Sequence, residues 1–297
     1  MAGCTLCPRM CGADREKGEK GFCKEGSAVR AARAAIHMWE EPCISGEEGS
    51  GTVFFSGCTL GCVYCQNHEI SKGRAGKEIS DTRLTEIFLE LKEKGANNIN
   101  LVTPTHFVPQ ILTALKRAKE RGLDIPVVYN TGGYERAETI RMLEGYVDVY
   151  LMDLKYLDAG HAAAYSGAKD YPQAACAALS QMVRQTGPPR FDKRGIMTGG
   201  VIVRHLLLPG CLADAKRIVR YLYDTYGDQI YISLMNQYTP VPSLNQEKYP
   251  RLAKAVSTKA YERLMDYAVA LGVEQAFIQE EGTAGESFIP QFTLEGI

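Results

Sequence analysis

The pattern of apolar and polar positions along the chain is typical of a parallel α/β fold. From about residue 50 onward, short β-rich runs alternate with segments of helical period, which indicates repeated βα units. Six strands are predicted, at residues 52–55, 98–103, 125–130, 147–153, 200–208 and 229–234, and a seventh candidate covers residues 276–279. No GxGxxG motif follows the first strand, which disfavours a nucleotide-binding doubly wound sheet. The pattern predicts a partial (βα)6-type barrel similar to a TIM barrel.

Helical segments fill the connections between these strands. Apolar residues at helical spacing form one stripe over residues 84–91, behind the candidate N-cap Asp81, and a second stripe over residues 111–118. The longest interval between strands, residues 156–199, carries several tyrosines and arginines. Because loops of this length are usually functional, we predict that this interval covers one end of the barrel as a substrate lid.

The first 50 residues differ in kind from the rest of the chain. They are rich in Cys, Gly and charged residues, and only residues 28–35 resemble a helix. Such a segment is expected to fold around a metal instead of an apolar core. We therefore predict a cysteine-rich metal-binding segment over residues 1–50 and a barrel over residues 51–297. The apolar string at residues 288–292 is expected to cap the barrel at its C-terminal end.

Composition narrows the classes of function. The chain has 297 residues, of which 45% are hydrophobic and 23% charged, so it can bury a full core. Its 34 basic and 35 acidic residues give a net charge of -1, which disfavours nucleic acid as a partner. The apolar runs are shorter than the roughly 18 residues of a membrane span, and the first ten residues lack the apolar stretch of a signal peptide. A soluble cytoplasmic protein is expected.

Ten cysteines in a reducing compartment indicate metal ligands, since disulfides do not persist there. Cys58, Cys62 and Cys65 follow the first barrel strand on a loop made flexible by Gly57 and Gly61. A four-iron cubane has four corners, so three thiolates leave one iron without a protein ligand. Zinc usually takes four protein ligands, or three and water, with CxxC spacing. The spacing CxxxCxxC therefore predicts a 4Fe-4S cluster with an open iron.

A second group of cysteines lies near the N-terminus. Cys4, Cys7, Cys11 and Cys23 supply four thiolates within 20 residues. This is a complete set for a closed tetrahedral zinc site or for an auxiliary iron–sulfur cluster. Zinc is favoured slightly because four protein ligands leave no catalytic opening, and the auxiliary cluster stays open as an alternative. The remaining cysteines are interpreted as a spare thiol and two small buried apolar residues, namely Cys43, Cys176 and Cys211.

The CxxxCxxC motif with an aromatic residue before its last cysteine, here Tyr64, resembles the radical S-adenosylmethionine (SAM) superfamily. The resemblance implies that SAM is chelated at the open iron and that Tyr64 lies against its adenine. It also implies that one electron, supplied by a reductant such as flavodoxin or ferredoxin, breaks the sulfonium bond. The resulting 5'-deoxyadenosyl radical would abstract hydrogen from a substrate. The cofactors carry this chemistry, and the protein supplies position and exclusion of water.

Further strings resemble the activating enzymes of glycyl radical enzymes such as pyruvate formate-lyase. Asp153 and Lys155 match an Asp-x-Lys pattern that implies contact with the methionine end of the cofactor, and alternation places both on one face of a strand. Arg204 resembles a strand arginine that reaches the cofactor carboxylate. Asn130 stands where these enzymes have an acidic residue in an Asp-Thr-Asn-Gly string, which implies a neutral hydrogen bond to the amino or ribose region.

One string departs from the family. Residues 102–107 replace a Gly-Gly-Glu sequence, so Thr103 and Thr105 become the expected acceptors for the cofactor's amino group. In the same string, His106 is interpreted either as a substrate contact or as a hydrogen-bonded structural residue, and His205 is assigned no role. Together with Cys-x2-Cys-Pro-Arg-x-Cys-Gly and His-Met-Trp-Glu-Glu-Pro near the N-terminus, the chain looks most like a group of proteins related to the pyruvate formate-lyase activating enzyme. The resemblance to that group implies a cofactor but does not identify a substrate.

Three functions remain open at this point. The hydrogen donor is expected to be either a glycyl residue of a partner enzyme or a small molecule or peptide held in an enclosed site. The third alternative is a non-catalytic metal-binding adaptor or electron-transfer protein. An electron carrier would ligate every corner of its cluster and would not need a barrel with a charged Asp153-x-Lys155 pair.

Overall fold

The computed structural model describes residues 3–279 and 290–297. Ten strands are present in this part of the chain: β1 (Val29–His37), β2 (Ser50–Phe55), β3 (Lys77–Ile79), β4 (Ile99–Val102), β5 (Val127–Thr131), β6 (Val149–Asp153), β7 (Arg190–Phe191), β8 (Met197–Leu206), β9 (Tyr231–Met235) and β10 (Ala276–Ile278). The helices are α1 (Pro42–Ser45), α2 (His68–Ser71), α3 (Asp81–Glu93), α4 (Val108–Glu120), α5 (Ala137–Met142), α6 (Ala159–Ser166), α7 (Tyr171–Thr186), α8 (Leu212–Tyr226) and α9 (Thr258–Leu271).

The strands form one mostly parallel sheet, in the order β10-β9-β8-β6-β5-β4-β2-β1-β3. Neighbours from β2 through β10 pair in parallel, whereas β1 is antiparallel to both β2 and β3. Short β7 lies off this path and pairs with β8. All six predicted strands and the seventh candidate are present, which confirms the α/β fold with its six βα units. Parallel pairing brings the carboxyl ends of β2, β4, β5, β6, β8 and β9 to one edge, where α/β enzymes bind their ligands.

The helix predicted at residues 28–35 is wrong, because these residues form β1. Alanine favours a helix in isolation, but here the backbone of Ala31 pairs with Phe55 on one side and with Lys77 on the other. Burial against two strands overrides the local propensity. Residues 29–37 thus belong to the barrel's sheet, although they fall within the region predicted to be a separate metal-binding segment.

A short plug closes the amino-terminal ends of the parallel strands. Since β1 runs antiparallel to β2 and ends beside its start, the chain between them crosses this end. There α1 buries Cys43 and Ile44 against β5, β6 and β8, on the sheet face opposite the helices. Asn98 donates a hydrogen bond to the carbonyl of Ile44 at 2.7 Å and fixes the plug. Cys43, interpreted as a spare thiol, is a core residue of this plug.

The interval at residues 156–199 is not a lid over the cavity described below. Its main element, α7, packs against α5, β6 and β8, and buries Ala175, Leu179 and Met182. An amphipathic helix of this length buries its apolar stripe on the sheet, so it becomes the crossover between β6 and β8. The lid prediction is therefore wrong, although α6 touches the cysteine loop from outside.

The C-terminal residues of the chain lie alongside β1. The amide of Ala34 donates to the carbonyl of Glu295 at 2.8 Å, and the Phe292 ring lies 5.5 Å from that of Phe54. Of the string predicted to cap the barrel, residues 288 and 289 lie outside the described part of the chain. Across the described residues, no helix is both long and apolar enough to cross a membrane.

Candidate active site

The three-cysteine loop leaves the sheet at the carboxyl end of β2. Gly57 starts the loop at φ +83°, and a Cβ there would lie 2.6 Å from the carbonyl oxygen of Cys23 and 2.5 Å from Cγ of Glu25. Only glycine fits a left-handed backbone pressed against the N-terminal segment in this way. The loop that carries Cys58, Cys62 and Cys65 is thus built directly on the cysteine-rich segment.

Burial affects the protonation of the loop thiols. Burial raises the pKa of Cys65 to about 12 and also raises the pKa of Cys58, so both stay protonated unless a cation compensates their charge. Within residues 3–279 and 290–297, no three His, Cys, Asp or Glu side chains are grouped tightly enough to hold one metal ion. A cubane instead binds each sulfur to a different iron and spaces them apart. The hydroxyl of Ser166 donates to Sγ of Cys62 at 3.0 Å, as donors commonly do to cluster sulfurs.

A cavity of about 490 Å³ opens beside this loop, at the carboxyl edge of the sheet. It is lined by the three cysteines and by all seven residues predicted to bind the cofactor, which are Tyr64, Thr103, Thr105, Asn130, Asp153, Lys155 and Arg204. The structure therefore brings together residues that are spread over the sequence from Cys58 to Arg204. Tyr64 is fixed by a 2.6 Å hydrogen bond between its hydroxyl and that of Tyr156.

Asp153 stands between two cations at the end of β6. Its Oδ2 accepts from Nζ of Lys155 at 2.7 Å, and its Oδ1 accepts from Nε of Arg204 at 2.8 Å. Burial alone would raise the pKa of Asp153, but the charges of Arg204 and Lys155 outweigh burial and lower it to about 2. The same carboxylate raises the pKa of both cations against the opposing effect of burial. All three groups are therefore charged at neutral pH.

A second carboxylate in this network, Glu40, was given no role in the sequence analysis. It comes from the segment between β1 and α1, and its side chain is 8% exposed. Arg204 donates to Oε2 of Glu40 at 3.1 Å, while Asn130 and Asn100 donate to Oε1 at 3.1 and 2.9 Å. The only sequence signal is the acidic pair that precedes Pro42 at the start of the buried plug.

These contacts occupy the side chain of Asn130 and all three nitrogens of Arg204. The amide oxygen of Asn130 accepts from Arg204 at 2.7 Å, and its amide nitrogen donates to Glu40. An arginine has five N–H groups, so one on Nη1 and one on Nη2 of Arg204 stay available for a cofactor carboxylate, as the resemblance implies. Through its two hydrogen bonds, Asn130 holds Arg204 and Glu40 in place, and it also lines the cavity.

The two threonines after β4 differ in their surroundings. Thr103 adopts φ +59°, which is strained for a β-branched residue, and its amide donates to the carbonyl of Asn130 at 2.9 Å. The hydroxyl of Thr105 donates to Glu135, a buried carboxylate that also accepts from Thr131. Burial raises the pKa of Glu135 to about 7, although the threonine hydroxyls oppose this effect. The proton of Thr105 is thus engaged away from the cavity, and only its oxygen lone pairs remain for a cofactor.

The two histidines left open by the sequence lie beside the site and not in it. Nε2 of His106 donates to the carbonyl of Ser56 at 2.6 Å, directly beneath the cysteine loop. Burial lowers the pKa of His106 to about 4, so the ring is neutral. Nδ1 of His205 bonds to the carbonyl of Leu154 at 2.8 Å. Both are buried hydrogen-bonded residues that support strand ends.

The N-terminal cysteines converge against one another. A Cβ on Gly21 would lie 3.1 Å from Sγ of Cys11 and 3.4 Å from Sγ of Cys23, so glycine leaves the room that both sulfurs use. Burial raises the pKa of Cys7 to about 12, and nearby Glu135, Cys23 and Cys4 add to this effect. Four thiols are the ligand types of a zinc or iron–sulfur site, but within the described residues no three of them are grouped tightly enough to hold one metal ion, so the site stays a prediction.

Arg9, between Cys7 and Cys11, joins this segment to the barrel. Its guanidinium donates to the carbonyls of Thr59 and Leu60 in the cysteine loop, at 3.0 and 3.1 Å. It also donates to the carbonyls of Ser166 and Gly167 at the end of α6, at 3.0 and 2.6 Å. The ring of Phe22 lies 3.9 Å from the guanidinium carbon. Sequence analysis missed this role, because a lone arginine between two cysteines carries no signal of its distant partners.

Comparison with known proteins agrees with this geometry. Residues 52–188 match the model of the radical SAM superfamily. Over 278 residues the chain is 28% identical to the uncharacterized protein MJ0674 of Methanocaldococcus jannaschii, which covers 89% of this chain and 74% of that protein. Over 111 residues it is 31% identical to the pyruvate formate-lyase-activating enzyme of Clostridium pasteurianum, which covers 36% of this chain and 45% of that enzyme.

Among solved structures, SuiB of Streptococcus suis bound to the precursor peptide SuiA is similar with a TM-score of 0.49 at 11% identity, covering 75% of this chain and 46% of SuiB. The chain thus spans less than half the length of SuiB and of the Clostridium enzyme. The three cysteines follow the first parallel strand at CxxxCxxC spacing, and the family model covers the loop and the next three parallel strands, through the end of α7. Residues 52–188 therefore match the radical SAM superfamily, and the three-cysteine loop lies within the matched part.

Proposed function

We propose that this chain is a radical SAM enzyme that abstracts a hydrogen atom from a segment of a partner protein, with a glycyl residue as the first candidate. The superfamily implies a 4Fe-4S cluster and SAM, and Cys58, Cys62 and Cys65 would hold that cluster at the cavity. When bound, these groups supply a 5'-deoxyadenosyl radical after one-electron reduction. The observation that carries the proposal is that the three-cysteine loop opens into a cavity lined by two acidic and two basic side chains, which we call the polar floor: Glu40, Asp153, Lys155 and Arg204.

The polar floor suits the methionine end of SAM. Glu40 and Asp153 supply two negative charges, and Lys155 and Arg204 supply two positive charges. A zwitterion can exchange partners with such a set without leaving a buried charge uncompensated. In this arrangement Arg204 or Lys155 would hold the carboxylate, and Glu40, Thr103 or Thr105 would accept from the amino group. Tyr64 would lie against the adenine.

The remaining wall suits a neutral hydrogen donor. It contains Phe54, Leu206 and Met235, together with His37, whose pKa burial lowers to about 4. Two apolar side chains of the cavity lining also reach the surface, Met38 at 42% and Trp39 at 61% exposure. An exposed apolar rim beside a site is typical of contact with another protein.

The identity to the Clostridium activating enzyme supports a glycyl residue as the donor. A small molecule or peptide in an enclosed site stays the alternative, and the non-catalytic adaptor is disfavoured by the charged floor.

The N-terminal thiols would hold a structural zinc or an auxiliary iron–sulfur cluster. The contacts of Arg9 with Thr59 and Leu60 favour a structural role, because ordering this segment orders the catalytic loop. We propose the first 50 residues as this metal-binding region, with residues 29–37 shared with the barrel's sheet, and a C-terminal cap formed by the chain end along β1.

The test is anaerobic reconstitution with iron and sulfide, followed by reduction with dithionite and addition of SAM. We expect 5'-deoxyadenosine, with about four irons and one zinc per chain, or about eight irons if the N-terminal site is a second cluster. Cys62→Ala should abolish the product and lower the iron content. Cys176→Ala, in a cysteine outside both groups, is the matched control and should match the wild type. Bound iron without any 5'-deoxyadenosine in the wild type would favour the adaptor.

A further inference from the structure

A second concave surface lies behind the cysteine loop, outside the cavity that would hold SAM. Its floor is the backbone of Leu60, Gly61 and Val63, and one wall is the end of α6 around Tyr165 and Ser166. The other walls are Phe22 of the cysteine-rich segment and residues 248–251. We call the surface formed by these groups the loop-back surface.

The loop-back surface reaches close to one cluster ligand. Gly61 and Val63 flank Cys62 in the sequence, and Gly61 is exposed. The amide of Val63 donates to the carbonyl of Tyr165 at 2.9 Å, and the Ser166 hydroxyl donates to Sγ of Cys62 at 3.0 Å. The loop-back surface is therefore lined by both sequence neighbours of Cys62 and by the serine that contacts its sulfur.

The chemistry of this surface is aromatic and basic. Phe22 is 44% exposed, and Tyr165 and Tyr249 complete an aromatic lining. Lys248 and Arg251 are exposed at the rim, and neither forms a salt bridge with a residue in the described part of the chain. Its lining contains no aspartate or glutamate among the described residues. Because the net charge of the whole chain is -1, the positive charge at this surface is local and does not reflect an overall positive charge of the protein.

We infer that the loop-back surface is the docking site of a small acidic protein that carries one electron. The inference rests on the proposed function, since it supplies the electron that the cluster needs. In the step, the donor is oxidised by one electron and the cluster is reduced by one, and no bond or proton changes at the surface. Charge complementarity raises the association rate of such transient pairs.

The test compares two reductants on the reconstituted full chain. Reduced flavodoxin serves as the acidic donor, and dithionite serves as a small reductant that needs no docking. The variant Lys248→Glu/Arg251→Glu reverses the rim charges. The matched control is Lys116→Glu/Arg117→Glu, which reverses two exposed cations on the outer face of α4.

With flavodoxin below saturation, we expect the rim variant to form 5'-deoxyadenosine at least about tenfold more slowly than the control variant. Added salt should slow the reaction of the wild type but not that of the rim variant. With dithionite, all three proteins should react alike. Equal flavodoxin-driven rates in the two variants would overturn the inference, and so would failure of flavodoxin to reduce a wild type that dithionite activates. Absence of product with dithionite in the wild type would instead overturn the proposed function.

Discussion

Arg9 donates a hydrogen bond to the carbonyl of Thr59 at 3.0 Å and so connects the N-terminal cysteine segment to the three-cysteine loop. The loop is also held from below, where His106 bonds to Ser56, and from the side, where Ser166 contacts Cys62. The loop is therefore positioned by three separate parts of the chain, and its geometry depends on tertiary contacts more than on its own sequence.

Replacing Arg9 should loosen this loop. Arg9→Gln removes several charge-assisted hydrogen bonds to carbonyls, each worth about 1.5–3 kcal/mol when formed to a charged group. Because the side chain is only half-buried, we expect the free energy of unfolding to fall by about 2 kcal/mol and iron retention to fall with it. Urea denaturation and iron analysis measure both quantities. Arg141→Gln, at an exposed arginine whose salt bridge within the described residues is with Glu138, should leave both unchanged. Full iron content in Arg9→Gln would contradict the role assigned to Arg9.

The start of the loop has its own test. Gly57→Ala adds a methyl group 2.6 Å from the carbonyl oxygen of Cys23 and also strains a left-handed backbone. Gly145→Ala provides the control, since Gly145 has a similar φ of +78° and no atom within 4 Å of its Cβ position. The control should cost about 1–2 kcal/mol of unfolding free energy through strain alone. Gly57→Ala should cost at least about 2 kcal/mol more, through overpacking. Similar losses in urea denaturation of the two variants would show that the contact with Cys23 is unimportant.

Two neighbouring buried glutamates test whether a carboxylate stabilises the fold through the charged network or is merely buried. Oε1 and Oε2 of Glu40 together accept hydrogen bonds from Arg204, Asn130 and Asn100, whereas Oε2 of Glu41 accepts none from residues 3–279 or 290–297. Burial also raises the pKa of Glu41 against the charge of Arg204, so its neutral form is already favoured relative to an exposed glutamate. Glu40→Gln should lower the free energy of unfolding by about 2–3 kcal/mol, because it leaves the buried Arg204 charge less compensated. Glu41→Gln should be neutral or stabilising. The reverse order of the two effects in urea denaturation would remove Glu40 from the network.

Acid should destabilise the fold through His106. Its pKa is about 4 in the folded chain and 6.5 without burial, so between these values the unfolded chain binds more protons. The stability contributed by the neutral ring is present above pH 6.5 and is lost as pH falls toward 4. At pH 5 the loss is about 2 kcal/mol for this residue, from 1.36 kcal/mol per pKa unit. Urea denaturation at pH 7 and pH 5 measures it. A His106→Gln variant, which cannot titrate, should lose correspondingly less, and an unchanged pH dependence would show that His106 is not the group responsible.

Sequence by itself determined the parts of this protein that depend on local spacing. The alternation of β-rich and helical runs predicted every parallel strand, because each βα unit must bury its own apolar face. The spacing of Cys58, Cys62 and Cys65 predicted a shared loop, since ligands on one loop need no knowledge of the fold. The two-residue period of a strand likewise placed Asp153 and Lys155 on one face, and the structure shows them paired.

Tertiary structure decided what depends on distant partners. Residues 28–35 have the local propensity of a helix, and only pairing with β2 and β3 makes them a strand. The interval at 156–199 has the length of a lid, and only the sheet surface under α7 makes it a crossover. Arg9 and Glu40 act on groups 50 to 164 residues away. No pattern around them reports those contacts, because a hydrogen bond constrains the position of its two ends and leaves no period in the chain between them.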